Sequence, residues 1–145
     1  MLNLFAAFPE RKKIAIGEGT DLISDIPNII TFDLMTQKEV AQRITASHGN
    51  KVYGRLSVMA QVCADIELSF TVPRTVFYPQ PNVDSAIISF SPKQANIENI
   101  ESFGNLVKSA FSQRRKKLRN TLKGVIYPDK MGEFATKRAE ELSIE

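Results

Sequence analysis

Ile29-Ile30-Thr31-Phe32-Asp33-Leu34-Met35 runs straight into Thr36-Gln37-Lys38-Glu39-Val40-Ala41. The first seven residues are rich in β-branched and aromatic side chains and do not alternate strictly. That pattern predicts a strand buried on both faces of a parallel sheet. Thr36 and Glu39 have the spacing of a capping box, which would open a helix there. Val40, Ala41 and Ile44 supply its inner face, and His48-Gly49-Asn50 its stop. A strand followed at once by a helix is half of a β-α-β unit, so the fold class is α/β.

Downstream, Leu56, Met59, Ala60 and Cys63 fall on one helical stripe behind Gly54. Ile66, Leu68, Phe70 and Val72 alternate with polar residues, as a half-buried strand does. A loop punctuated by Pro73, Pro79 and Pro81 leads to a strand over 83–91 with Ala86, Ile88 and Phe90 on one face. Two strands joined without a helix are most simply antiparallel. From about residue 97 the pattern is helical, with Val107, Phe111, Leu118, Leu122 and Val125 near one stripe. Pro128 breaks it, and a last helix is expected from Asp129 to Leu142. Upstream, Leu2, Phe5 and Phe8 suggest the last turns of a helix closed by Pro9. Residues 10–28 read as a loop with a short strand at Ile14–Ile16.

The chain has 145 residues, 43% of them apolar and 24% charged, a globular composition. One cysteine, Cys63, and one histidine, His48, exclude an internal disulfide and a His/Cys metal cluster. Cys63 on an apolar stripe reads as a packing residue, and His48 beside Gly49 as a surface or capping residue. No run approaches the roughly 18–20 apolar residues needed to cross a membrane. Gly17-Glu18-Gly19 lacks the third glycine and the strand–turn–helix frame of a dinucleotide loop.

The net charge of +3 hides a polarity. Residues 102–128 hold seven cations (Lys108, Arg114, Arg115, Lys116, Lys117, Arg119 and Lys123) and no acid, leaving the rest of the chain at −4. Cations on one helix face suit phosphate contact, and a solvated helix face is the bland alternative of about equal weight. The loop Phe77-Tyr78-Pro79-Gln80-Pro81-Asn82-Val83-Asp84-Ser85 holds two aromatics on a stiff frame. It can offer a flat face to an unstacked base. On the residues alone, a core-edge loop with Phe77 packed inward is the stronger reading.

Four stretches, taken in order, resemble the ribosomal RNA adenine dimethyltransferase family. They are Gln37-Lys38-Glu39-Val40-Ala41 with Arg43, Tyr53 to Gln61, the Phe77–Ser85 loop, and Ala110 to Asn120. They cover about residues 29–125, and the bacterial small-subunit type is the nearest in pattern. The resemblance implies methyl transfer from S-adenosylmethionine to N6 of two adjacent adenines in small-subunit rRNA. It implies the C-terminal part of a Rossmann-like methyltransferase sheet, about three strands with the last pair antiparallel, over residues 1–92. A small, incomplete helical RNA-binding domain follows over 93–145. By resemblance Phe77 packs on the extruded base and Pro79, Pro81 and Val83 support its loop. Arg114, Arg115, Lys116, Lys117 and Arg119 form a basic helix that docks rRNA, some of them bracing the two domains instead. Lys38 and Arg55 match motif positions with an RNA or a structural role. Asn82 stands where the family usually has lysine.

The family's Gly-rich cofactor loop, its acidic ribose partner and its Asn-Leu-Pro-Tyr catalytic motif do not occur in the chain. No catalytic, cofactor-binding or metal residue is therefore assigned. The chain alone is expected to bind no S-adenosylmethionine and to be inactive without the missing N-terminal half of its domain. The expected partner is small-subunit rRNA or an immature small subunit, with no membrane. The expected location is the cytoplasm, or the mitochondrion for an organellar relative. Three rival readings are a non-catalytic RNA-binding module, a mitochondrial transcription factor B-like protein, and a relative of the large-subunit resistance methyltransferases.

Overall fold

A computed structural model describes residues 31–144 apart from 94 and 96. The expected helix over 1–8, the segment 10–28, and Ile29 and Ile30 lie outside the described residues. The order is β1 (Phe32–Gln37), α1 (Lys38–Ile44), α2 (Arg55–Cys63), β2 (Ala64–Val72), β3 (Ser85–Pro92), α3 (Ile100–Ala110), α4 (Leu118–Thr121) and α5 (Pro128–Met131), with 3-10 turns at Arg74–Val76, Gly132–Thr136 and Ala139–Glu141.

The sheet has the order β1-β3-β2, and β3 is antiparallel to both neighbours. The antiparallel β2–β3 pair is as expected. The parallel sheet around the first strand is not: β1 is antiparallel to its described neighbour and its side chains alternate between half-buried and exposed. Two strands antiparallel to the same third strand run the same way. The β1-helix-β2 crossover therefore has the direction of a β-α-β unit, with β3 inserted between its strands.

On the covered face, Ala86, Ile88 and Phe90 of β3 are fully buried beside Ala41, Ile44 and Ala60 of the helices, as the alternation predicts. Phe32 stacks on Phe90, its ladder partner, with ring centroids 4.7 Å apart. The other face is open among the described residues. There the Ser89 hydroxyl bridges Asp33 Oδ1 and Ser69 Oγ, next to a row of Met35, Ile87 and Phe70. Phe70 is 58% exposed, against expectation. A register shift between Leu68 and Phe70 inserts Ser69 and sets Phe70 opposite Ile87 rather than on the covered face.

The helix boundaries also depart from expectation. The ladder runs through Thr36 and Gln37, so Gln37 precedes α1 and no side chain caps it. Glu39 instead pairs with Arg43 one turn on. α1 ends at Ile44, where the Thr45 amide and hydroxyl both donate to the Ala41 carbonyl. α2 fits its predicted stripe, with Met59, Ala60 and Cys63 buried. Burial pushes the Cys63 thiol above its usual pKa, with a smaller opposing pull from Lys93, so it stays a protonated packing residue at neutral pH. His48 is exposed.

A second apolar cluster gathers Leu118, Leu122, Met131 and Ala139 with Leu106, Ala110, Phe111 and Leu142 around it. α3 meets α2 where Gly104 faces Met59, a Cβ there lying 3.5 Å from the Met59 methyl. The continuous helix expected through residue 125 breaks after Ala110, and Val125 is 55% exposed. The last helix is one short turn followed by 3-10 turns, interrupted at Gly132, which has φ +52°.

Candidate nucleic-acid interface

The β2–β3 loop is fastened by Asp84. Its carboxylate accepts the Arg74 amide at 3.0 Å, and its carbonyl accepts the Lys38 amide at 2.9 Å. The Arg74 guanidinium donates to the Asn82 carbonyl at 3.2 Å, closing the loop across its neck. The 3-10 turn at Arg74–Val76 ends where the Phe77 amide donates to the Arg74 carbonyl. Phe77 is half-buried, while Tyr78 is completely exposed and Val83 is 47% exposed. The Tyr78–Pro79 peptide is cis. Pro79 is exposed and Pro81 half-buried.

An open cleft of about 460 Å³ lies between this loop and the start of α1, lined by Gln37, Lys38, Gln42, Arg74, Asn82 and Val83. Glu39 and Asp84 border it as well, but Glu39 is paired with Arg43 and the Asp84 carboxylate holds a backbone amide. The structure thus brings Lys38 and Val83 of the expected residues together, and adds Arg74 and Asp84. Both additions were missed because their roles depend on contacts across the loop. The available signal was a cation just after Pro73 and an acid just before β3 begins. Arg55 opens α2 and is exposed.

The basic run is not a helix. Residues 111–117 form turns between α3 and α4, with Lys117 in extended conformation. Four successive cations repel one another on one helical turn, and Ser109 and Ser112 turn their hydroxyls onto the carbonyls of Asn105 and Ser109. The five expected RNA contacts then separate. Arg114 Nε donates to Glu140 Oε2 at 3.0 Å and its Nη2 to the Tyr53 carbonyl at 3.2 Å. It ties the turn before α2 to the C-terminal segment. The same joint holds the Gly49 amide on the Glu140 carbonyl and the Tyr53 hydroxyl on the Leu142 carbonyl. Tyr53 is buried, its ring edge-on to Phe111 at 6.1 Å, and desolvation raises its pKa. Arg115, Lys116, Lys117 and Arg119 are exposed, and no carboxylate pairs with them among the described residues. Arg115 borders a second cleft of about 330 Å³ with Gly49, Lys51 and Glu140.

A family model described as ribosomal RNA adenine dimethylase matches residues 15–143. The chain belongs to this family. Ribosomal RNA small subunit methyltransferase A of Legionella pneumophila (strain Lens) is 42% identical over 129 residues, covering 85% of this chain and 50% of that protein. The same-named protein of Latilactobacillus sakei is 43% identical over 127 residues, covering 77% of this chain and 43% of its own length. The chain thus spans about half the length of the curated relatives it matches. Among solved structures, a dimethyladenosine transferase from Plasmodium falciparum superposes with a TM-score of 0.71 at 27% identity, covering 85% of this chain and 56% of that one. The 23S rRNA methyltransferase ErmE follows the fold with a TM-score of 0.55 at 25% identity, covering 81% and 53%.

As a member of the adenine dimethylase family, the chain belongs with S-adenosylmethionine-dependent methyltransferases. The two clefts do not supply that cofactor's site. Neither sits at a glycine-rich turn between a strand and a helix: the β1-to-α1 passage reads Thr36-Gln37-Lys38-Glu39. The residues that line these two clefts carry no feature that fits S-adenosylmethionine.

Proposed function

We propose that the chain is the RNA-engaging portion of an rRNA adenine N6-dimethyltransferase, acting on small-subunit rRNA. The observation that carries this reading is the split in the basic run. Arg114 is engaged by Glu140 and the Tyr53 carbonyl, while Arg115, Lys116, Lys117 and Arg119 stand exposed and without carboxylate partners among the described residues. Exposed, unpaired cations release counterions when they meet phosphates, which gives salt-dependent affinity. The half-buried Phe77 is the stacking face for the extruded adenine, in a loop whose neck Asp84 and Arg74 hold closed. S-adenosylmethionine supplies the methyl group in the complete enzyme. Its site, and the acceptors that hold N6, belong to the half of the relatives' length that this chain does not span. The chain alone therefore neither binds the cofactor nor methylates.

Fluorescence anisotropy with a small-subunit rRNA fragment tests the reading. Affinity should fall with salt, and the slope of log K against log salt should flatten by about 0.7–0.9 for each phosphate contact removed in Arg115→Ala, Lys116→Ala and Lys117→Ala. An unchanged slope in the triple variant would show those cations to be solvated surface. Micromolar binding of S-adenosylmethionine in a calorimetric titration would overturn the cofactor statement.

A further inference from the structure

The cleft at Arg115 lies where two distant parts of the chain are joined. Gly49, Asn50 and Lys51 come from the turn between α1 and α2, and Arg114, Arg115 and Glu140 from the helical part. The Gly49 amide donates to the Glu140 carbonyl at 2.7 Å, and Arg114 reaches the Tyr53 carbonyl at 3.2 Å, so the cleft exists only while the two parts are docked. The Tyr53 hydroxyl on the Leu142 carbonyl fastens the same joint, which therefore does not hang on Arg114 alone.

The chemistry of this cleft is nearly all donor. Glu140 is the one acid that lines it, and Glu140 Oε2 already accepts Arg114 Nε at 3.0 Å. Lys51 and Arg115 are left over, both exposed, their side chains without hydrogen-bond or carboxylate partners among the described residues. Asn50 Oδ1 accepts the Val52 amide at 3.1 Å, which leaves the Asn50 side-chain nitrogen to donate. Two cations that face one cleft repel each other, and an anion between them turns that repulsion into two attractions. The cleft is open to solvent, so screening leaves a single free ion weakly held. Lys116, Lys117 and Arg119 continue the exposed cations beyond Arg115, which suits a ligand carrying a series of phosphates.

We propose that this cleft binds one phosphodiester of the RNA backbone between Lys51 and Arg115, with the Asn50 amide as third donor, and that the RNA thereby clasps the joint. This rests on the RNA reading above. It adds Lys51, which lies outside the basic run, as a contact to the same phosphate as Arg115. A ligand that binds only the docked arrangement stabilises it by mass action. The Gly49 amide reports on that effect, since its hydrogen bond to Glu140 must open before it exchanges with solvent.

The test uses the 145-residue chain and the small-subunit rRNA fragment, with anisotropy followed over a range of salt. Lys51→Ala breaks no contact among the described residues and should weaken binding about three- to tenfold at low salt. It should flatten the salt slope by about 0.7–0.9, as Arg115→Ala does, and the double variant should flatten it no further, because one phosphate is shared. Exchange of the Gly49 amide, followed by NMR, should slow when RNA saturates the wild-type chain and should not slow when it saturates Lys51→Ala. A double variant that loses twice the slope of either single variant would put the two cations on separate phosphates and overturn the shared site. Gly49 exchange unmoved by RNA in the wild-type chain would overturn the clasp. Inorganic phosphate binding below about 1 mM, with RNA affinity untouched by Lys51→Ala, would replace the proposal by a free-anion site. If Lys51→Ala behaves as wild type while the Arg115, Lys116 and Lys117 variants lose affinity, the shared site fails and RNA docking stands. If the wild-type chain binds no RNA, both fail.

Discussion

Replacing Arg114 with alanine separates bracing from RNA contact within one run of cations. The side chain makes two interactions, one to Glu140 Oε2 at 3.0 Å and one to the Tyr53 carbonyl at 3.2 Å. Arg114 is 48% exposed and Glu140 26%, so solvent screens the ion pair to about 0.2–1 kcal/mol. The hydrogen bond to the carbonyl adds about 0.5–1.5 kcal/mol. Arg114→Ala should therefore cost about 1–2 kcal/mol, a fall in melting temperature of several degrees for a chain of this size. Glu140→Gln should cost less than half of that, because the Tyr53 contact survives. The two changes together should fall short of their sum by the coupling energy of the pair. Thermal and urea unfolding followed by circular dichroism measure both. In RNA binding extrapolated to full folding, Arg114→Ala should leave the salt slope at its wild-type value. A slope lowered as much as in Arg115→Ala, with unfolding unchanged, would refute the division of the run.

Phe90 and Phe70 test the register shift in β2: Phe90→Ala should cost about 3–5 kcal/mol, whereas Phe70→Ser, on the open face, should stay within about 0.5 kcal/mol by urea unfolding. Tyr53 should make stability fall at alkaline pH. Its pKa is raised in the folded state, so the native chain holds that proton longer than the unfolded one. Its contribution is whole below about pH 10 and is lost as pH rises through the folded value. Tyr53→Phe should cost about 0.5–1.5 kcal/mol at neutral pH for the bond to Leu142, and show a shallower alkaline decline than the wild-type chain.

What could be read from the chain and what could not divide by the range of the interactions. Ala86, Ile88 and Phe90 declare their strand and its buried face because alternation is local. So do Met59, Ala60 and Cys63 on α2. The direction of β1 is not local, since it is set by β3 entering from about fifty residues on. Thr36 has the chemistry of a cap, but a ladder partner at Ala86 outbids it. Ser69 carries no sign that it will be the extra residue of a bulge. The break after Ala110 defeats periodicity because Leu118 and Leu122 keep the spacing of a helix while facing a cluster formed with Met131 and Ala139. Of the interface, the Phe77 loop and the cation run were visible as motifs. That Arg114 turns inward, and that Arg74 and Asp84 close the loop, follows from contacts with Tyr53, Glu140, Asn82 and Lys38.

The sheet order has a consequence during synthesis. β3 is the only described strand that pairs with either of the others, and it is the last of the three to leave the ribosome. At about 5–20 residues per second, several seconds pass between the emergence of Gln37 and that of Ser85. Through that interval β1 lacks its ladder with β3, and Ala41, Ile44 and Ala60 have no β3 side chains to cover them. A ribosome stalled before Ser85 would hold β1 and β2 without the strand that joins them among the described residues. The hairpin of β2 and β3 is thus the committing step, and chaperone occupancy on the nascent chain should end once Pro92 clears the exit tunnel.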